Sequence, residues 1–224
     1  MTASSALSAA ITAIPSEWAA FAPDVRVWRI DLDAPCAISI LSAEERARAD
    51  RFAFPVLRQR FVGAHTALRL ILGMVTARPP ESLVFGQGAY GKPFLHAPLL
   101  EFNLTHSEGM GLVAVAMQPV GIDVEVVRPM SDRAGVMAQS FTAQEQAAVE
   151  GLPTAAQTAA FFRVWTRKEA VIKATGEGFR AVKSFSVPVD DGEPVMQVGS
   201  HRVFDLRLAD GNFHAAVAVQ APKP

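Results

Sequence analysis

The chain has one cysteine, Cys36, so it can form no internal disulfide, which fits a reducing compartment. Neither sign of charge prevails. With 21 Lys and Arg against 22 Asp and Glu, the formal charge of -1 argues against a protein built to coat nucleic acid. Long hydrophobic runs are absent as well: stretches such as Leu112–Met117 are far too short to cross a bilayer. The first basic residue is Arg26, so the Ala-rich start lacks the positive region of a secretory signal. A soluble cytoplasmic protein, with no membrane and no nucleic-acid partner, is the expectation. What is present is bulk: 224 residues, half of them hydrophobic, enough for one large domain or two small ones sharing a core.

Residues 1–23 are Ala- and Ser-rich with little periodicity and read as partly loose. Val25–Leu32 alternates as a strand. Ser42 with Glu45 makes a capping box, so a helix begins there and Pro55 interrupts it. Phe61, Ala64, Leu68, Ile71, Leu72 and Val75 then recur at helical spacing up to Pro79-Pro80. Short strands follow at Leu83–Phe85, Pro93–Leu95, Glu101–Leu104, Leu112–Met117 and Val120–Val127, the last two expected to pair across a Gln118-Pro119 turn. Thr142 with Glu145 repeats the capping box, and a helix over 158–174 ends at Gly176. The remainder, through Phe185–Val189, Val195–Val198, Val203–Leu208 and Phe213–Val219, reads as a β-meander. The pattern is α+β, with two halves meeting near residue 118.

Two motifs carry chemistry. In Gly121-Ile122-Asp123-Val124-Glu125 the period of two points both acids to one face and Ile122, Val124 and Val126 to the other. In Trp165-Thr166-Arg167-Lys168-Glu169-Ala170-Val171-Ile172-Lys173, Glu169 and Lys173 are one helical turn apart. Taken separately these could be a solvated strand face and a surface ion pair. Together, two strand carboxylates and one from a helix suit a hard divalent cation, and Lys173 suits a phosphate. Phe102-Asn103-Leu104-Thr105-His106-Ser107 places polar side chains where a strand runs out into a loop, as hydrogen-bonded surface residues or as phosphate donors. Arg46, Arg48, Arg51, Arg58 and Arg60 form either a solvated face balanced by Glu44, Glu45 and Asp50 or an anion site.

Gly91-Lys92-Pro93, the Phe-Asn-Leu-Thr-His-Ser segment, Gly-Ile-Asp-Val-Glu and Trp-x-x-Lys-Glu-Ala-x-x-Lys-x-x-Gly-x-Gly occur in that order. In this order they resemble the 4′-phosphopantetheinyl transferases of the long, two-lobed type, over about Ser42 to Phe185. The resemblance implies transfer of phosphopantetheine from coenzyme A to a serine of an acyl or peptidyl carrier protein, releasing adenosine 3′,5′-bisphosphate. It implies that Asp123, Glu125 and Glu169 hold Mg²⁺ (or Mn²⁺), that Glu169 takes the serine proton, and that Lys173 stabilises the leaving phosphate. Lys92, Thr105 and His106 match coenzyme-contacting positions, and Arg48, with Arg51 and Arg60, falls in the region that meets the 3′-phosphate. Thr105 stands where many members carry serine, and Glu45 where some carry lysine.

The family fold is a pseudo-dimer of two similar α+β lobes with the active site in the cleft between them. Here these would be residues 1–118, the coenzyme side, and 119–224, the metal and carrier side, in a monomer. Two rivals stand beside this reading: a Mg²⁺-dependent nucleotide pyrophosphate hydrolase, and a non-catalytic coenzyme A or carrier-protein binding module. The resemblance also places the docking of an acidic carrier on residues 128–141, where Met130, Arg128 and Arg133 are the expected exposed contacts and Phe141 is expected to pack inside.

Overall fold

A computed structural model describes residues 10–15, 19–20, 22–36, 38–96, 100–190, 194–208 and 211–221. The first half runs β1 (Ile11–Ile14), β2 (Arg26–Asp31), α1 (Ala43–Ala49), α2 (Pro55–Thr76), the short strands β3 (Phe85–Gln87) and β4 (Pro93–Leu95), then β5 (Glu101–Ser107) and β6 (Met110–Ala116). The second runs β7 (Val120–Val126), α3 (Arg133–Ser140), α4 (Ala143–Glu150), α5 (Thr154–Thr175), β8 (Met196–Val198), β9 (His201–Asp205) and β10 (Phe213–Gln220). The architecture is mixed α+β.

Two four-stranded sheets have the orders β1-β2-β6-β5 and β7-β10-β9-β8, and a two-stranded ribbon pairs β3 with β4. Each half therefore has a strand, a 22-residue helix and two further strands, in which the first strand pairs the last and the last pairs the one before it. Leu112 and Ala114 of one sheet and Ile122, Val124 and Val217 of the other share a core between the sheets. On the outer face of the first sheet, Trp28, Ile30 and Val113 pack on Leu68, Ile71 and Leu72 of α2. Ala216 and Ala218 of the second sheet pack with Phe161, Val164 and Val171 of α5.

Both capping boxes form. Ser42 Oγ accepts the Glu45 N–H at 3.2 Å while Glu45 Oε2 accepts the Ser42 N–H at 2.8 Å. Thr142 and Glu145 do the same at 3.3 and 2.7 Å. Pro55 opens α2, where its missing N–H costs nothing, and Gly176 closes α5 in the left-handed region at φ 69°.

Each capping carboxylate also reaches a buried cation on its long helix, 24 residues on for Glu45 and Arg69, 23 for Glu145 and Lys168. Counted from Pro55 and Thr154, Arg69 and Lys168 occupy the same helix position. Arg69 goes on to the Pro80 and Leu83 carbonyls, Lys168 to that of Phe185. The first and second halves are thus braced in the same way.

Five sequence expectations are corrected. β6 and β7 do not form a hairpin, because β6 is flanked on both sides by β2 and β5, while β7 pairs with β10. Phe185–Val189 is not a strand. Its main chain is tied to side chains instead: Phe185 O to Lys168, Val187 N to Glu145, Pro188 O to Arg167 and Val189 O to Arg163. β5 does not end at Leu104, since Thr105, His106 and Ser107 keep pairing with Leu112, Gly111 and Met110. Within the Ala-rich start, which lies largely outside the described residues, Ile11–Ile14 is an ordered strand paired with β2. The second long helix begins at Thr154 rather than 158.

Candidate active site

Alternation along β7 turns Val120, Ile122 and Val124 into the core between the sheets and Asp123 and Glu125 to the opposite face, the side of α5. The helix comes unusually near. A Cβ on Gly121 would sit 2.1 Å from the Ala170 carbonyl oxygen and 2.3 Å from the Ala174 nitrogen, so only glycine admits this approach of strand to helix. The last turns of α5 therefore lie directly over β7, where Lys173 reaches Asp123 and Glu169 comes within electrostatic range of both strand acids.

Asp123 is almost fully buried, with 4% exposure. Its Oδ1 accepts the Lys173 ammonium at 2.6 Å and the Thr105 hydroxyl at 3.1 Å. Its Oδ2 is buried with no hydrogen-bond partner. An unsatisfied carboxylate oxygen out of water is costly, and a bound cation is one way to satisfy it. Burial pushes the Asp123 carboxyl above its usual range against the pull of Lys173. Glu125 is raised by burial and then by Asp123, with Ser107 pulling the other way. Glu169 is raised by burial; Lys173 opposes this, and Asp123 and Glu125 add to it.

Glu125 thus senses Asp123, and Glu169 senses both, as expected of groups converging on one region. They do not stand as a closed cage: among the described residues, no three His, Cys, Asp or Glu side chains are already at metal-holding distances. The donor set, hard oxygens with one orphaned and buried, fits a divalent cation of the Mg²⁺ kind.

On the facing strand β5, Thr105 is buried and Ser107 half-buried, and both hydroxyls turn to the acids. His106 is exposed, and its imidazole is held below its ordinary value by partial enclosure of the ring and then by Lys173, His65 and Arg60. Those four groups form one basic neighbourhood beside the acids. Arg60 within it is already engaged by Asp33 at 2.8 Å and Glu108 at 3.1 Å. Arg48 and Arg51 are exposed, Arg48 lying over the Phe61 ring at 5.1 Å, and Phe61 stacks in turn on His65. Lys92 is not turned to this cluster. Its ammonium donates to the carbonyls of Val120 at 3.1 Å and Ala174 at 3.2 Å and neighbours Glu101, joining the start of β7 to the end of α5.

The docking stretch needs correction too. Residues 128–141 contain a helix, α3, which buries Met137 and, just beyond it, Phe141 against the core of the second half. Phe141 behaves as expected; Met130 does not, being packed against the same core. Arg133 is held by Gln157 at 2.6 Å and Thr158 at 3.1 Å, which leaves Arg128 as the exposed member of the trio.

Sequence reasoning gave no role to Lys168, although it sits beside Glu169. The structure buries it with Glu145 at 2.9 Å, each 1% exposed. The repeated capping box, each followed by a long helix with an inward cation, was the available signal. A cavity of about 910 Å³ lies between α4, α5 and residues 186–190 and includes none of the three acids.

Residues 119–218 match the family described as the 4′-phosphopantetheinyl transferase superfamily. The chain is 37% identical over 207 residues to "4′-phosphopantetheinyl transferase HetI" of Nostoc sp., covering 88% of this chain and 87% of that protein. It is 32% identical over 188 residues to "4′-phosphopantetheinyl transferase psf-1" of Bacillus pumilus, covering 81% and 80%. Against "4′-phosphopantetheinyl transferase Sfp" of Bacillus subtilis the figures are 31% over 184 residues, 75% and 79%. The matched region includes the acids of β7 and α5, and the similarity to whole relatives extends well into the first half: the chain belongs to the 4′-phosphopantetheinyl transferase superfamily.

Proposed function

We propose that this protein transfers the 4′-phosphopantetheinyl group of coenzyme A to a serine of an apo acyl or peptidyl carrier protein, giving the holo-carrier and adenosine 3′,5′-bisphosphate. The observation that carries this reading is the convergence of Asp123, Glu125, Glu169 and Lys173 around a buried, unsatisfied carboxylate oxygen. It occurs in a chain of the transferase family.

Asp123, Glu125 and Glu169 would hold a divalent cation, Mg²⁺ or Mn²⁺, whose chemistry is to neutralise charge on the pyrophosphate. Glu169 takes the proton of the carrier serine as its oxygen attacks the phosphorus bearing the pantetheine. As the pyrophosphate P–O bond breaks, Lys173 exchanges Asp123 for the leaving bisphosphate and stabilises its negative charge. His106, with Arg60, Arg48 and Arg51 farther along, forms the basic side that meets the phosphates of coenzyme A, and Thr105 joins it with its hydroxyl once Asp123 turns to the cation. Lys92 contributes by holding the ends of β7 and α5 together beneath the site.

The repeated strand–helix–strand–strand topology supports two lobes, 1–118 and 119–224, with this site at their junction. No helix among the described residues is long and apolar enough to cross a membrane. A cytoplasmic monomer serving an acidic carrier completes the proposal.

The test is the mass of an apo-carrier after incubation with coenzyme A and Mg²⁺. The carrier should gain one phosphopantetheine, and Asp123→Ala or Glu169→Ala should slow the gain roughly 10²–10³-fold, the scale of losing one charge-stabilising group. Free phosphopantetheine with an unmodified carrier would indicate a hydrolase, and no reaction across a panel of acyl and peptidyl carriers would leave a binding module.

A further inference from the structure

The two sheets meet along their edge strands β5 and β7, which do not pair in a ladder. Side chains of β5 bridge them. Asn103 Oδ1 accepts the Ile122 N–H at 2.9 Å. Ser107 Oγ accepts the Val126 N–H at 3.1 Å and donates to Glu125 Oε2 at 2.9 Å. Between these two points, Thr105 donates to Asp123. Asn103 and Ser107 are four residues apart, as are Ile122 and Val126, so the bridges keep one register with the two strands running in the same direction.

The energetics favour a clamp. The N–H groups of Ile122 and Val126 lie on the edge of β7 away from β10, and a buried N–H left without an acceptor costs about 1–3 kcal/mol. A serine hydroxyl has one proton to donate. That of Ser107 is committed to Glu125, so it has none for a coenzyme phosphate unless Glu125 is released. Ser107 moreover lies on the strand rather than in a loop.

We infer that Asn103 and Ser107 are positioning residues. By gripping the β7 main chain at two points, and the Glu125 carboxylate at one, they set the strand's height and rotation so that Asp123 and Glu125 present oxygens to one cation. They do not contact coenzyme A. The inference rests on the reading of the three acids as the cation site.

The measurement is Mn²⁺ binding to the protein with coenzyme A present and no carrier, read from the electron paramagnetic resonance signal of free Mn²⁺. Ser107→Ala should weaken Mn²⁺ binding about 10–100-fold, the usual loss when a group orienting a ligand is removed. Ser107→Thr, which keeps the hydroxyl, should restore most of it. The coenzyme A KM at saturating metal should be unchanged in both. Ser107→Cys, similar in size with a much weaker hydrogen bond, gives the same readout if the alanine variant does not fold. Unchanged Mn²⁺ affinity in Ser107→Ala overturns the clamp, and a raised coenzyme A KM at unchanged Mn²⁺ affinity assigns the hydroxyl to a phosphate instead. Absence of Mn²⁺ binding by the unaltered protein removes the cation reading of the acids and the clamp with it.

Discussion

On β2 the side chains turned to α2 are Trp28 and Ile30; on β7 those turned to α5 are Asp123 and Glu125. Where α5 carries Glu169 and Lys173, the same positions of α2 carry Leu70 and Met74. The helices have one length, three strands of each sheet share one order, and each helix is fixed by a buried cation on a capping carboxylate. The first half fills the space between strand and helix with Trp28, Ile30, Leu68, Ile71 and Leu72, while Met74 stands out in solvent. In the second half Gly121 brings the helix down onto the strand, and the space holds charge instead. The bracing belongs to the scaffold and recurs in both halves, whereas the chemistry resides in a few positions of one half.

If the bracing is shared, breaking it should be costly in both halves. Lys168→Met leaves Glu145 charged and buried, and a urea titration should show a loss of about 3–5 kcal/mol. Arg69→Met should cost less, because Glu45 retains 13% exposure and can recover some solvent. Adding Glu145→Gln to Lys168→Met should return part of the loss, since glutamine still closes the capping box without a stranded charge. Equal, negligible losses in both single variants would mean that the pairs are decorative.

The smaller effect is in pH dependence and belongs to the first half. Although burial alone would raise it, Glu45 is held down from 4.5 to about 2 by hydrogen bonds from His65, the Ser42 N–H and Arg69, with the charge of Arg69 adding to them. A carboxyl depressed on folding adds stability that is fully present above its unfolded pKa. This contribution disappears as pH falls through the folded value, here between 4.5 and about 2. The advantage of the unaltered protein over Glu45→Gln should therefore shrink across that window and be flat above it. A gap that persists at pH 2 would place the stabilisation in the shape of the residue rather than its charge.

The parts legible in the sequence are those governed by local rules. Both capping boxes, the glycine end of α5 and the common face of Asp123 and Glu125 follow from spacing within a few residues. The misread parts depend on distant partners. Phe185–Val189 has strand-like residues, but Lys168, Glu145, Arg167 and Arg163 take up its main-chain groups before any strand can. Val120 follows a turn that suits a hairpin, but β6 had no edge left to offer it. Ser107 reads as a donor to a ligand because its acceptor, Glu125, is 18 residues away and reached only when the sheets meet. Arg133 and Met130 read as a docking surface because nothing local showed that Gln157, Thr158 and the core of the second half would claim them.

The central claim is that one half alone carries the cation site, and a crystal grown with Mn²⁺ and coenzyme A tests it most directly. The anomalous difference map should show one strong peak per chain, between Asp123, Glu125 and Glu169, with Lys173 moved from Asp123 to the phosphates and no peak between β2 and α2. Coenzyme A bound with no peak at the three acids, or a peak bound by other residues, would contradict the account.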